Sequence, residues 1–424
     1  MLELKFLVNN PQEVISRLKI KRFDAENIVN QIIDLHEKKK KLQVELENLK
    51  SRQNKIAKQI GILYKQGKKE EAEKIKAEAT KLKEDIKGLE AEFEPIEKAI
   101  FELLVKLPNL PHKSVPEGDS SADNRIIREG GVIPKFDFEP LPHWELGKKY
   151  NLIDFELGNK LTGSGFPVFI DRGAKLERAL INFFLDRAKK AGYLEMIPPF
   201  MVNEATAFGT GQLPDKEGQM YFIESDNFYL IPTAEVPLTN VYRDQIIDEE
   251  VLPIKLTAYT PCFRREAGSY GKDVRGLNRV HQFDKVEIVR LEHPERSYQA
   301  LDEMVEYVES LVKDLELPYR IVQLCGGDLS FTSALTYDFE VYSAAQGKWL
   351  EVSSVSNFET FQSNRMKIRF RGKNQKKTRL VHTLNGSALA LPRIVAALLE
   401  NNQTVNGIKL PKVLWEYYGN DVID

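Results

Sequence analysis

The chain has 424 residues, 42% hydrophobic and 29% charged, which describes a folded protein of two or three domains and excludes a disordered or fibrous one. Its two cysteines, Cys262 and Cys325, belong to no C-x-x-C pair, so neither a disulfide framework nor a zinc ribbon is expected, and no zinc. The formal net charge of −2 leaves nucleic acid open as a partner, because the distribution of charge matters more than its sum.

No apolar run approaches the roughly 18 residues that a membrane span needs. The start, Met1-Leu2-Glu3-Leu4-Lys5-Phe6, lacks the charged and apolar regions of a secretory signal. The expectation is a cytoplasmic enzyme or binding protein with no membrane partner.

Two long helices come first. Apolar residues at Ile28, Ile32, Leu35, Leu42, Leu46, Leu49, Ile56, Ile60 and Leu63 step by 4, 3 and 7, a heptad seam with polar positions at Lys39 and Gln53. A second seam runs through Ile75, Ala79, Leu82, Ile86, Leu89, Phe93, Ile96, Ile100 and Leu103 in strict steps of 4 and 3. Gly67 between them marks the reversal, which predicts an antiparallel coiled-coil hairpin over 27–103, about 50 Å long. Pro95 is expected to kink the second helix. A bare coiled coil is commonly a dimerisation rod. Here Lys50, Arg52, Lys55, Lys58, Lys65, Lys68 and Lys69 fall within twenty residues that contain no Asp or Glu. Such a tip attracts a polyanion, through phosphate contacts that read shape more than base sequence.

Pro108 and Pro111 end the helical pattern, and 108–139 reads as a connector. From 140 to 424 helices such as Lys175–Gly192 alternate with short strands, including Glu287–Leu291, Asp338–Tyr342 and Met366–Arg371. This is an α+β pattern with a mostly antiparallel sheet. Neither standard phosphate-binding glycine loop is present, so bound ATP would have to rest on other groups.

Three segments carry chemistry. The first is the amphipathic helix from Lys175 with the strand ending at Pro198-Pro199, which alone reads as core. The second is Pro261-Cys262-Phe263-Arg264-Arg265-Glu266-Ala267-Gly268 with the return through Arg275 and Val280 to Glu287. A strand, a basic loop and a returning strand would put Arg264, Glu266 and Phe283 on one inner surface. An arginine fork suits carboxylate or phosphate, and a phenylalanine face suits a purine. The bland alternative is a hairpin with surface charges. The third is His382-Thr383-Leu384-Asn385-Gly386-Ser387 leading into a helix with Arg393 near its start. A cation there opposes the helix dipole, which makes a polyphosphate a better explanation than stability.

In this order the three segments resemble the signature motifs of class II aminoacyl-tRNA synthetases. Together with Thr233-Ala234-Glu235 and Glu351-Val352-Ser353-Ser354, they resemble the bacterial-type seryl-tRNA synthetases along the whole chain. That resemblance implies a coiled-coil arm gripping tRNA, a class II antiparallel sheet flanked by helices, and ATP-dependent joining of L-serine to tRNA(Ser), with tRNA(Sec) as a second candidate. It also implies a homodimer with tRNA bound across subunits. Residue by residue, it gives Arg264 the α-phosphate and the serine carboxylate, and Arg393 the γ-phosphate. Thr233, Ala234 and Glu235 would hold the α-ammonium end, and Glu287 and Ser387 the side chain of serine. Arg265, Glu266, Val280, Phe283, Glu351, Val352, Ser353 and Ser354 would line the ATP site, with Glu351 and Ser354 on the side of its Mg²⁺. Leu335 and Arg265 depart from the residues frequent in the family. Two other classes remain, namely an RNA-binding protein with a decayed synthetase domain and a paralogue that charges a carrier protein.

Overall fold

The computed structural model describes residues 1–215, 217–266 and 275–424, which fall into two compact units. One comprises Met1–Lys19 with Phe23–Pro108, and the other Ile20–Arg22 with Asn109–Asp424.

The first unit is all helix: α1 (Leu4–Asn9), α2 (Pro11–Ile20), α3 (Glu26–Lys65) and α4 (Lys69–Lys106). Helices α3 and α4 are the two limbs of the hairpin, each near 60 Å at about 1.5 Å per residue. Their seam buries Ile32, Leu46 and Ile56 against Leu82, Ile86 and Ile100. Gly67, at φ +77°, turns the chain in the left-handed region where a side chain is strained. The polar seam position Lys39 is satisfied from across the hairpin: its Nζ lies 2.6 Å from Glu97 and 5.4 Å from the centre of the Phe93 ring. Pro95 does not end α4, which runs on through it. The proline is exposed, so the carbonyl left without a donor faces water.

The second unit is built on eight strands. They are β1 (Arg125–Gly130), β2 (Leu194–Glu195), β3 (Ile254–Phe263), β4 (Gln282–Glu292), β5 (Tyr319–Gln323), β6 (Leu335–Ser343), β7 (Lys348–Asn357) and β8 (His382–Ala390). Their order across the sheet is β1-β5-β6-β7-β8-β4-β3-β2, antiparallel throughout except for the edge pair β2–β3. Helices α5 (Arg172–Lys190), α7 (Ser297–Asp314) and α8 (Leu391–Asn401) bury Leu180, Phe184, Val308 and Leu398 in the core against sheet residues such as Ile288, Ile321 and Phe339. A short helix, α6 (Glu235–Asn240), lies between α5 and α7 in the chain.

Two sequence expectations need correction. Part of the segment expected as a connector is β1, which closes one edge of the main sheet. An edge strand with five of its six residues exposed shows no hydrophobic alternation, so nothing in its composition marks it. The strand expected at Met366–Arg371 is shorter, Arg369–Arg371, because Met366 closes a helical turn, Phe361–Met366, before it.

Candidate active site

Strand β4 lies inside the sheet, hydrogen-bonded to β3 on one side and β8 on the other. Glu287 therefore sits in a fixed register, opposite Ala258 and Ser387, and side chains at 285 and 287 emerge on the same face. That face borders a cavity of about 710 Å³.

At one end of the cavity three polar groups are closed off from water. Glu287 is 2% exposed, Lys285 5% and Thr233 6%. The Lys285 ammonium lies 2.5 Å from Glu287 Oε2 and donates to Thr233 Oγ1 at 2.8 Å, while the threonine hydroxyl donates to the same carboxylate at 3.0 Å. The Lys285–Glu287 pair is therefore a buried ion pair and no part of a hairpin with surface charges. Buried charges of this kind are costly without bonds to each partner, and here each has them. Ser387, 9% exposed, completes the group from β8.

Glu235 opens α6 beside them. Gln362 donates to its Oε1 at 2.5 Å, and Gln362 is itself fixed by the Thr383 hydroxyl at 2.6 Å. Burial, and then the charge of Glu287, push the Glu235 carboxyl up to about 7, against the opposing pull of Gln362, Lys285 and Arg264. Ala234 is not part of the lining: it is fully buried in an apolar cluster with Leu238 and Leu256.

The other end of the cavity is larger and more open. Arg264 bonds the Pro232 carbonyl at 3.4 Å, and its guanidinium lies 5.2 Å from the centre of the Phe283 ring, with Glu266 also on the wall. Arg279 pairs with Glu266 at 2.9 Å. Val280 is buried in the same wall. Arg265 departs from expectation, since it is exposed and does not line the cavity. Successive residues of an extended segment point to opposite sides, and Arg264 takes the inner one. Ala267 and Gly268 lie outside the described residues.

Strand β7 supplies Glu351, Val352, Ser353 and Ser354. The Ser353 hydroxyl donates to the Ser387 carbonyl at 2.6 Å, and Ser354 donates to Glu351 at 3.4 Å. Arg393, in the first turn of α8, donates to the carbonyls of Asn278 at 2.9 Å and Glu351 at 2.7 Å. Opposite Ser354 stands Asp338, which sequence reasoning passed over. Burial and then the Glu351 charge raise its carboxyl well above the usual range, and its Oδ1 has no hydrogen-bond partner. Lys285 and Gln362 were also missed as lining or support. The period-2 position of Lys285 relative to Glu287 was the available signal for one of them. Among the described residues no cluster of three His, Cys, Asp or Glu side chains is poised to hold a metal on its own.

On the helical hairpin, the cationic run is partly neutralised by acids of α4. Lys50 pairs with Glu90 at 2.7 Å, Arg52 with Glu78, and Lys68 with Glu71 at 3.5 Å. Lys55, Lys58, Lys65 and Lys69 stay exposed, with no ion pair among the described residues.

Residues 1–111 match the family model described as the seryl-tRNA synthetase N-terminal domain, and 221–402 the class II core domain of the synthetases for G, H, P, S and T. The serine–tRNA ligase of Salinibacter ruber is 52% identical over 99% of this chain and 98% of its own. That of Geobacter sulfurreducens is 46% identical over 99% of both. Among solved structures, the seryl-tRNA synthetase of Pyrococcus horikoshii complexed with ATP is 36% identical. It superposes with a TM-score of 0.92 over 100% of this chain and 99% of that one. The cytoplasmic serine–tRNA ligase of Naegleria fowleri, in complex with AMP, gives 26% and 0.88 over 100% and 99%. Matched at both ends and along its full length, the chain belongs to the seryl-tRNA synthetases, the class II ligases specific for serine.

Proposed function

We infer that this enzyme activates L-serine with ATP and transfers it to tRNA(Ser), with tRNA(Sec) as a further candidate acceptor because phosphate contacts read shape. The observation that carries the reading is the closed group of Thr233, Lys285 and Glu287 facing Ser387. A pocket of buried polar groups suits a small hydroxyl amino acid: alanine would leave them unpaired, and threonine adds a methyl group.

The serine carboxylate attacks the α-phosphorus in line, a P–O bond forms, the bond to the β-phosphate oxygen breaks, and pyrophosphate leaves. No side chain acts as nucleophile; the protein aligns charges and neutralises them. In this assignment Thr233 and Glu235 receive the α-ammonium, Arg264 the carboxylate and α-phosphate, and Glu287 with Ser387 the hydroxyl. Phe283 offers a face to adenine, Glu266 and Val280 border it, and Arg393 takes the γ-phosphate. A terminal ribose hydroxyl of the tRNA then attacks the activated carbonyl, and AMP leaves.

Glu351 and Ser354 suit a Mg²⁺ shared with phosphate, supported by the unbonded Oδ1 of Asp338 nearby. Hard oxygen donors in small number are what Mg²⁺ takes when phosphates complete its shell. The ion would supply neutralisation of phosphate charge.

Residues 1–107 are assigned to tRNA binding, through Lys55, Lys58, Lys65 and Lys69 first, and the unit from Asn109 onward to catalysis. A homodimer with each arm serving the partner's site, and a cytoplasmic location, complete the reading. No helix among the described residues is long and apolar enough to cross a membrane. The test is ATP–pyrophosphate exchange across the twenty amino acids: serine alone should support it strongly, and strong exchange with a different amino acid would overturn the assignment.

A further inference from the structure

Behind the nucleotide end of the cavity, a carboxylate and a histidine are buried together where no substrate reaches. Glu400 and His143 are both fully buried. Glu400 lies on α8 seven residues after Arg393, two turns along the same helical face. His143 begins a short helix, His143–Lys149.

The bonds fix the state of the ring. The Leu277 N–H donates to His143 Nε2 at 2.8 Å, so that nitrogen carries no hydrogen. Nδ1 then carries it and donates to Glu400 Oε1 at 2.7 Å, while the His143 N–H donates to the same oxygen at 3.0 Å. Ser343 donates to the other carboxylate oxygen. Burial works against ionisation of Glu400, but the bonds from His143 and Ser343 outweigh it and hold its carboxyl below the ordinary range.

A second path leaves the same carboxylate. Gln346 donates to Glu400 Oε1 at 3.0 Å, and its own carbonyl accepts from the Asn278 side chain at 2.8 Å. The Asn278 backbone carbonyl in turn accepts from Arg393 Nε. Two ties thus run from Glu400 to adjacent residues, Leu277 and Asn278, of a segment whose residues 277–280 line the cavity. The fit is close: a Cβ on Gly276, at φ +68°, would come within 2.2 Å of His143 Nε2. Arg275 packs over the neighbouring Trp144 ring at 4.6 Å.

We propose that His143 and Glu400 are a positioning pair that holds the 275–280 segment, and Arg393 through the Asn278 carbonyl, in the arrangement that receives the polyphosphate of ATP. This rests on the assignment of Arg393 and 277–280 to ATP. A neutral histidine is required, since a second ring proton would face the Leu277 N–H donor with another donor. Glu400 selects the tautomer; His143 passes the constraint to the loop.

The two ring nitrogens can be separated by mutation. In His143→Asn the amide nitrogen falls near Nδ1, keeping a donor for Glu400 and abandoning Leu277. In His143→Gln the amide falls near Nε2, keeping an acceptor for Leu277 and abandoning Glu400. Steady-state pyrophosphate exchange gives KM for ATP and for serine separately, and thermal unfolding gives Tm. We expect His143→Asn to raise KM for ATP by about tenfold, the scale of one lost hydrogen bond, with KM for serine within about twofold. His143→Gln should lose more Tm yet keep KM for ATP within about threefold. Gln346→Ala, on a turn that tolerates truncation, cuts the second tie and should raise KM for ATP by about threefold even if His143→Asn does not fold. Equal changes in both KM values, or unchanged KM for ATP in the folded variants, would overturn the proposal. Arg393→Ala separates the two levels. A raised KM for ATP there, with none in the other variants, removes only the positioning pair; no effect at Arg393 removes the ATP assignment beneath it.

Discussion

Replacing Glu287 should cost serine activation far more than ATP binding. The carboxylate is 2% exposed and already bonded to Lys285 at 2.5 Å and Thr233 at 3.0 Å. A serine hydroxyl donating to it would add one charge-assisted bond in a closed site, about 1.5–3 kcal/mol. Glu287→Gln keeps the shape and loses the charge, so kcat/KM for serine should fall roughly ten- to hundredfold. Glu287→Ala removes the acceptor altogether and should cost on the order of 2–4 kcal/mol in serine activation. It also leaves the Lys285 ammonium buried without its carboxylate, a separate stability loss of about 3–5 kcal/mol that Tm will register. The pair of variants keeps specificity and folding apart. The assay is serine-dependent pyrophosphate exchange with alanine and threonine as competitors, and KM for ATP should stay within about twofold. If the folded Gln variant kept its full preference for serine, Glu287 would leave the specificity pocket and the choice of amino acid would need another basis.

Glu235, with its carboxyl pushed up to about 7, must be ionised to receive an ammonium, so kcat/KM for serine should climb as pH rises towards about 7 and level above it. Glu287→Gln should move that break to lower pH, since the Glu287 charge is the second cause of the shift; a profile flat from pH 6 to 8 would refute this. The same raised value means that Glu235 supports the fold below the ordinary carboxylate range and that this support is lost as pH rises through about 7, a loss visible as falling Tm. Deleting residues 38–98 should spare adenylate formation and abolish tRNA charging, and the cut is conservative because Lys39 and Glu97 pair across the hairpin. Wild-type charging should weaken steeply with salt. Mixing the armless subunit with a Glu287→Ala subunit should restore charging if each arm serves its dimer partner; a mixture as inert as its components would sink the crossed homodimer.

What could be read in advance was what has a period or a dense local grammar. The heptad steps placed α3, α4 and their buried face, because 3.5-residue repetition survives any tertiary context. The block around Arg264 and Glu287 was legible as a hairpin with an inner surface, and Phe283, Arg264 and Glu266 do share one wall. What escaped depends on partners distant in sequence. Strand β1 is a strand only because β5, nearly two hundred residues later, offers it an edge. Asp338 and Lys285 are ionisable residues on strand positions that face the cavity, which hydropathy patterns assign to the outside. The two acids that temper the basic run across the hairpin, Glu78 and Glu90, lie on the opposite limb, so a count within one helix could not see them. Three of the seven cations are paired among the described residues, Lys50 and Arg52 across the hairpin and Lys68 locally with Glu71.

The position of β4 within the sheet has a consequence for how selectivity can change. With backbone bonds on both edges, its amides can exchange with solvent only when the sheet itself opens, so they should report global rather than local unfolding. If the serine hydroxyl rests on Glu287 as proposed, the floor under it is as rigid as the fold is stable, and it cannot creep to admit a larger or differently shaped amino acid. On that assignment, a change of substrate on this scaffold has to come through exchanged side chains such as those at 287 and 387. A loop insertion, the commoner route to new specificity in proteins, has no purchase on a strand enclosed on both sides.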